Sequence, residues 1–224
     1  TINAPVNEPS MITLPGVFVQ DEVSFNKQNK LLAGLRYDYN NVHGNVFTPR
    51  LNYKWNSKNK RNIVRLGTGT GYRVANVFTE DHAALTGARE VEFQSELNPE
   101  TSWNANINFV KKIFTNNDIF IGIDASVFYT RFNNRIIPDY ETDVNKIIYS
   151  NLGGYAVSKG INTNVEIDFF NGLKLLVGAT LMDVTSTENN ITQRQLLTER
   201  FSGVWTFSYT YKKSNITIDY TGSL

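Results

Sequence analysis

Apolar and polar residues alternate along most of this chain with a period of two, and a helical period of about 3.6 residues is scarce. In LNYKWN, Leu51, Tyr53 and Trp55 share one side of an extended chain, and Arg50, Asn52 and Lys54 share the other. SWNANINFV sets Trp103, Ala105, Ile107 and Phe109 against Asn104, Asn106 and Asn108, and GINTNVEIDF sets Ile161, Thr163, Val165, Ile167 and Phe169 against Asn162, Asn164, Glu166 and Asp168. FSGVWTFSYTY does the same with Phe201, Gly203, Trp205, Phe207, Tyr209 and Tyr211. Successive side chains of a strand point to opposite faces, so each segment predicts a strand with one apolar and one polar face.

The pattern predicts about ten strands, over 16–26, 30–40, 47–56, 63–73, 100–111, 119–132, 156–169, 173–183, 200–212 and 216–221. Two architectures accommodate them. A water-soluble β-sandwich buries the apolar faces against each other; a membrane barrel turns them to lipid. Tyr37, Tyr39, Tyr53, Trp55, Tyr209 and Tyr211 lie toward strand ends, where interfacial aromatic girdles place amphipathic rings. The connections also alternate: short at 27–29, 57–62, 112–118, 170–172 and 213–215, longer at 41–46, 74–99, 133–155 and 184–199. Short turns at one end and long loops at the other are the pattern of an up-and-down outer-membrane barrel. Lys54 and Arg65 then face inward, because each would cost about 2–4 kcal/mol at the lipid midplane. Asp21 alone breaks the apolar parity of its strand, which predicts a bulge or a place near a sheet edge.

Composition narrows the function. The 224 residues carry a net charge of +1 and no basic block beyond SKNKR at 57–61, which gives no case for nucleic acid. With no cysteine and two histidines, no thiol chemistry, metal centre or cofactor site is expected. No stretch is apolar for long enough to make a transmembrane helix, which leaves membrane strands open. The chain starts at Thr1 without a charged-then-apolar leader, so a targeting segment is taken to be absent from it or removed.

GTGTGYRVANVFTED, at 67–81, spaces three glycines on alternate positions before an arginine. A phosphate loop would need a helix directly after the glycines, and neither that helix nor a Walker lysine follows. In a strand, Gly67, Gly69 and Gly71 share the inward face with Arg65 and Arg73, and glycine there marks a bend or a close approach of other backbone. His82 beside Glu80 and Asp81 is a solvated acidic loop more readily than a metal site, and His43 is a turn residue beside Gly44. The acid pairs Glu166 and Asp168, and Asp21 and Glu22, are ordinary for a water-filled lumen, and no catalytic residue is expected.

These same segments carry a resemblance. Gly71, Tyr72, Arg73, Asn76, Phe78 and Glu80 match the strand-to-loop signature of TonB-dependent outer-membrane receptors. LNPETSWN resembles the element that re-enters their barrel, through Leu97, Pro99, Glu100 and Ser102. VFVQDEVSF, LLAGLRYDY, FTPRLNYKW, FYTRFNNRI and NLGGYAVSKGINTNVEID follow in the family's order, and the loop ANVFTEDHAALTGAREV looks closest to receptors of the Bacteroidetes group.

The resemblance implies an all-β, antiparallel up-and-down transmembrane β-barrel segment, part of a family barrel of about 22 strands. Residues 1–224 would form a partial barrel domain, with the plug domain absent from this chain. The implied function is energy-coupled uptake of a scarce nutrient such as an iron chelate, haem, cobalamin or an oligosaccharide, at the cell outer membrane and without enzymatic activity. The implied partners are outer-membrane lipid, the plug of the same receptor, the TonB complex through a segment outside this chain, and the small-molecule ligand. Arg73, Asn76, Glu80, Asp81, His82 and Arg89 are the ligand-side candidates, with loop bracing the stronger expectation for Arg73 and Asn76. Two rivals remain: a complete ten-stranded outer-membrane enzyme with acids at its rim, and a soluble β-sheet binding or adhesion module.

Overall fold

A computed structural model describes residues 12–74, 87–94, 97–115, 118–195 and 197–224. Fourteen strands form: β1 (Gly16–Ser24), β2 (Asn29–Asn40), β3 (Gly44–Asn56), β4 (Asn62–Arg73), β5 (Glu90–Phe93), β6 (Glu100–Phe114), β7 (Phe120–Asn133), β8 (Ile136–Asp139), β9 (Lys146–Asn151), β10 (Tyr155–Asp168), β11 (Leu173–Glu188), β12 (Ile191–Arg194), β13 (Phe201–Tyr211) and β14 (Ile216–Ser223). The ten expected strands are the ten long ones. They pair in the order β1-β2-β3-β4-β6-β7-β10-β11-β13-β14, and every pairing is antiparallel. Among the described residues β1 and β14 do not pair with each other, so the sheet is an open wall and not a closed ten-stranded barrel.

Register keeps the two faces apart. Leu66 opposes Tyr53 and Ile107, and Ile161 opposes Val127 and Leu181, on the apolar face. Lys54 opposes Arg65, Arg65 opposes Asn108, and Asn108 opposes Ser126, on the polar one. A cavity of 600 Å³ on the polar face is lined from β1 to β7, by Glu22, Lys30, Lys54, Arg65, Asn108 and Phe128 among others, so the wall is concave on its polar side. Glu166 and Asp168 face the same way and share Lys174, at 3.6 Å from Asp168, as an ion triad in place of an acid–base pair. Asp21 is paired in regular register with Ala33 on an edge strand, without a bulge.

The apolar face is uncovered. Val17, Leu51, Ile107, Val127, Ile161, Val177, Leu181 and Phe207 are all exposed. The chain exposes 15518 Å², whereas a compact folded chain of 25.4 kDa exposes about 10,000 Å². A soluble sandwich would bury this surface; a lipid-facing wall leaves it open. No helix of the described residues is long and apolar enough to cross a membrane.

One end of the wall has tight turns at 25–28, 57–61, 169–172 and 212–215, as expected, and the Thr115 N–H donates to the Ile119 carbonyl where β6 and β7 meet at the same end. At the other end, 74–99 and 134–154 are long, but the connection placed at 41–46 is three residues, 41–43, because β3 starts at Gly44. Asn40 closes that turn by accepting hydrogen bonds from the backbone N–H groups of Val42 and His43 at 2.8 and 3.1 Å. β11 runs five residues beyond its expected end and folds back through Asn189 and Asn190, both at positive φ, into β12. The long loops hold a second sheet, β5-β9-β8, whose core is Ile147 and Tyr149 packed by Val91, Leu97 and Ile136.

β3 and β4 part at Pro49. Asn56 turns its N–H to Gln28 in the β2 turn, so Trp55, Tyr53, Leu51 and Pro49 are the residues whose backbone faces β4. Pro49 has no N–H to give, and the β3–β4 register ends one residue before it, at Arg50–Gly69. β2 and β3 stay paired up to Asn40–Gly44, and β4 and β6 up to Arg73–Glu100. A cavity of 400 Å³ opens beside the fork, touched by Phe47 and Thr48 on one side and Thr70 and Tyr72 on the other. A Cβ on Gly69 would lie 3.2 Å from the Pro49 carbonyl oxygen, so the close backbone approach foreseen for the glycine run comes from β3 itself.

Candidate functional site

The ends of β4, β6, β7, β10 and β11 line a cavity of 590 Å³ at the long-loop end of the polar face. Gly71, Arg73, Glu100, Ser102, Phe132, Arg135, Ser158 and Gln195 are among its walls. Alternation sends Arg73 and Glu100 into it, since both are polar-face positions and oppose each other in register.

Arg73 Nε donates to Glu100 Oε2 at 2.7 Å. The Glu100 side chain is only 10% exposed, against 57% for Arg73, so the carboxylate is the anchored partner. Its other oxygen, Oε1, accepts from the Ile136 N–H at 2.9 Å where β8 begins. Three neighbouring hydrogen bonds, all at Asn151, complete the brace. Asn151, at the end of β9, accepts from the Asn98 N–H at 2.7 Å and donates back to the carbonyl oxygens of Asn98 and Asn134. Four separate pieces of sequence, GYR, LNPE, RI and NLGGY, therefore meet at one place.

Arg135 was not singled out in the sequence. It lines the cavity and donates from Nη1 to Gln195 Oε1 at 2.8 Å, across sixty residues of chain. Nothing local marks it, because the contact depends on β12 returning along β11. Arg89 lies outside the cavity lining; its Nη1 donates to the Tyr140 carbonyl at 3.1 Å in the loop region. Asn76, Glu80, Asp81 and His82 lie outside the described residues. Among the described residues no cluster of histidine, aspartate and glutamate is arranged to hold a metal ion.

Two loop groups have shifted titration. Asp139 is held below the usual aspartate range by the Thr142 hydroxyl, 2.6 Å from Oδ2, and by the N–H groups of Thr142 and Glu141 on Oδ1. Lys146 is held above the usual lysine range by Glu92, at 2.7 Å across the parallel β5–β9 pair.

A model of the family described as TonB dependent receptor-like, beta-barrel, matches residues 7–223. The chain belongs to this family. The family and its structural neighbours are transport receptors and not enzymes, and the family's barrels are outer-membrane proteins. The wall shares its fold with the siderophore receptor PirA of Pseudomonas aeruginosa, at 17% identity and a TM-score of 0.72, over 96% of this chain and 37% of that one. It is also similar to the FrpB iron transporter of Neisseria meningitidis (F3-3 variant), at 17% identity and a TM-score of 0.70, over 95% and 32%. A third neighbour is the ferric enterobactin receptor PfeA in complex with BCV-L6, at 15% identity and a TM-score of 0.64, over 98% and 38%. The chain thus spans less than two-fifths of each of these receptors. No curated protein matches the chain.

Proposed function

We propose that this receptor wall takes part in energy-coupled uptake of a scarce nutrient across the outer membrane, and that residues 1–224 form part of the barrel around a plug supplied by another segment of the same receptor. The observation that carries the reading is a wall with one continuous exposed apolar face and, on the opposite face, a polar cavity at the long-loop end. Lipid takes the first and cargo the second. Coupling to the TonB complex falls to a segment outside this chain. The cargo class favoured is an iron chelate, because the neighbours are named for siderophore, iron and ferric enterobactin transport; haem, cobalamin and oligosaccharide are the other candidates.

Arg73, Asn76, Glu80, Asp81, His82 and Arg89 are proposed on the ligand side, and Arg135 joins them. Arg73 is tied to the Glu100 carboxylate and Arg89 lies outside the cavity lining, whereas Arg135 lines the cavity with a neutral partner, Gln195, so Arg135 is the arginine of this set assigned to cargo first. In the full receptor, Arg135→Ala should weaken binding of a ferric chelate by a factor of roughly 10–150 while barrel assembly, read by heat-modifiable gel mobility, stays normal; the figure follows from one charge-assisted hydrogen bond of about 1.5–3 kcal/mol. Unchanged binding of every candidate chelate removes Arg135 from the site. A water-soluble, monodisperse protein without detergent would instead favour the soluble binding module.

A further inference from the structure

The outer face carries a local group of charges that uptake does not use. On the loop-end half of that face, the ten long strands are charged on β7, β10 and β11 alone. Register places Lys159 between Tyr129 and Asp183, and places Val157 between Arg131 and Thr185 one rung further out. Thr185 in turn opposes Arg194 of β12. Arg131, Lys159 and Arg194 therefore stand on two adjacent rungs above the apolar band of Val127, Ile161 and Leu181.

Two of the cations, Lys159 and Arg194, share one carboxylate there, and Arg131 flanks them from β7. Asp183 lies 3.9 Å from Lys159 and 3.9 Å from Arg194, so it closes on neither cation, while Arg194 Nη2 also donates to the Thr198 carbonyl and is held in place by it. The Arg131 guanidinium carbon lies over the Tyr155 ring, 4.1 Å from its centroid, which holds the guanidinium at the aromatic level. The Lys159 side chain is 58% exposed. Beneath them Val157 is buried, so the cluster has an apolar floor. Cations at this height on a lipid-facing surface are positioned for headgroups: the acyl chains meet the band below, and the phosphates meet the cluster.

We propose that Arg131, Lys159 and Arg194 form a docking site for the phosphate of an anionic lipid headgroup in the outer leaflet. The position argues for lipid as the source, since the cluster continues the apolar face and sits on the side of the wall opposite the cavity. The proposal rests on the lipid-facing assignment of that face.

The test is spin-label measurement of lipid association with the full receptor in phosphatidylcholine bilayers holding a minor fraction of phosphatidic acid. The receptor should enrich phosphatidic acid over phosphatidylcholine about fivefold or more, the scale of one or two cations beside an anionic surface. The triple variant R131Q/K159Q/R194Q should insert equally well and lose the enrichment, Asp183→Asn should raise it, and free inorganic phosphate should not compete. Equal enrichment in receptor and triple variant, or full competition by free phosphate, overturns the docking site. Failure of the unaltered receptor to insert would strike the lipid-facing assignment instead, so the two failures are distinguishable.

Discussion

Glu100 joins wall and loops in one side chain. One carboxylate oxygen meets Arg73 and the other takes the N–H that opens β8. Glu100→Ala should therefore cost about 1–3 kcal/mol at the loop end, the penalty of stranding a sheltered donor. Amide hydrogen exchange checks it: the Ile136 amide should exchange faster in the variant, while amides in the β10–β11 ladder keep their protection. Asp139 gives a pH-dependent counterpart. Its carboxyl titrates below the usual aspartate range, so its stabilisation of the 139–142 turn is fully present above that range and fades as pH falls through the lowered value. Protection of the Glu141 and Thr142 amides should follow that titration, and Asp139→Asn should remove the pH dependence.

The fork between β3 and β4 belongs to the element scale. One missing N–H at Pro49 ends a ladder whose outer neighbours continue on both sides. Pro49→Thr should restore a donor toward β4 and extend the pairing, seen as added exchange protection at Phe47 and Tyr72; unchanged protection would mean that another feature holds the strands apart. The ten long strands were legible because alternation over eight or more residues is hard to produce otherwise, and Lys54 opposite Arg65 shows that their parity carried through. The four short strands were not. β5, β8 and β12 have four residues each, and β9 has six, too few to establish a period. Their pairing also depends on distant partners, as with Glu90 and Lys146. Arg135 escaped for the same reason: its partner Gln195 comes from another hairpin. The glycine run was legible in its face but not in its cause, since the approach of Pro49 to Gly69 follows from the fork.

For the receptor as a whole, function depends on which side of the wall meets lipid. Alternation predicts two faces, and the exposure of Leu51, Ile107, Val127, Ile161 and Val177 shows that no other part of the described chain covers the apolar one. Residues 1–224 contain no cysteine, so single cysteines can be placed in this wall without removing a native one. The decisive measurement is spin-label accessibility in a lipid bilayer at Leu51, Ile107, Val127, Ile161 and Val177, set against Asn52, Asn106, Ser126, Asn162 and Thr206. The first set should be reached by oxygen dissolved in lipid and shielded from a water-soluble nickel relaxant. The second set should show the reverse order of access, alternating between neighbouring residues of β3, β6, β7 and β10. Equal access to the nickel relaxant on both sets, or an inverted pattern, would contradict the lipid-facing wall and with it the uptake function proposed for this receptor.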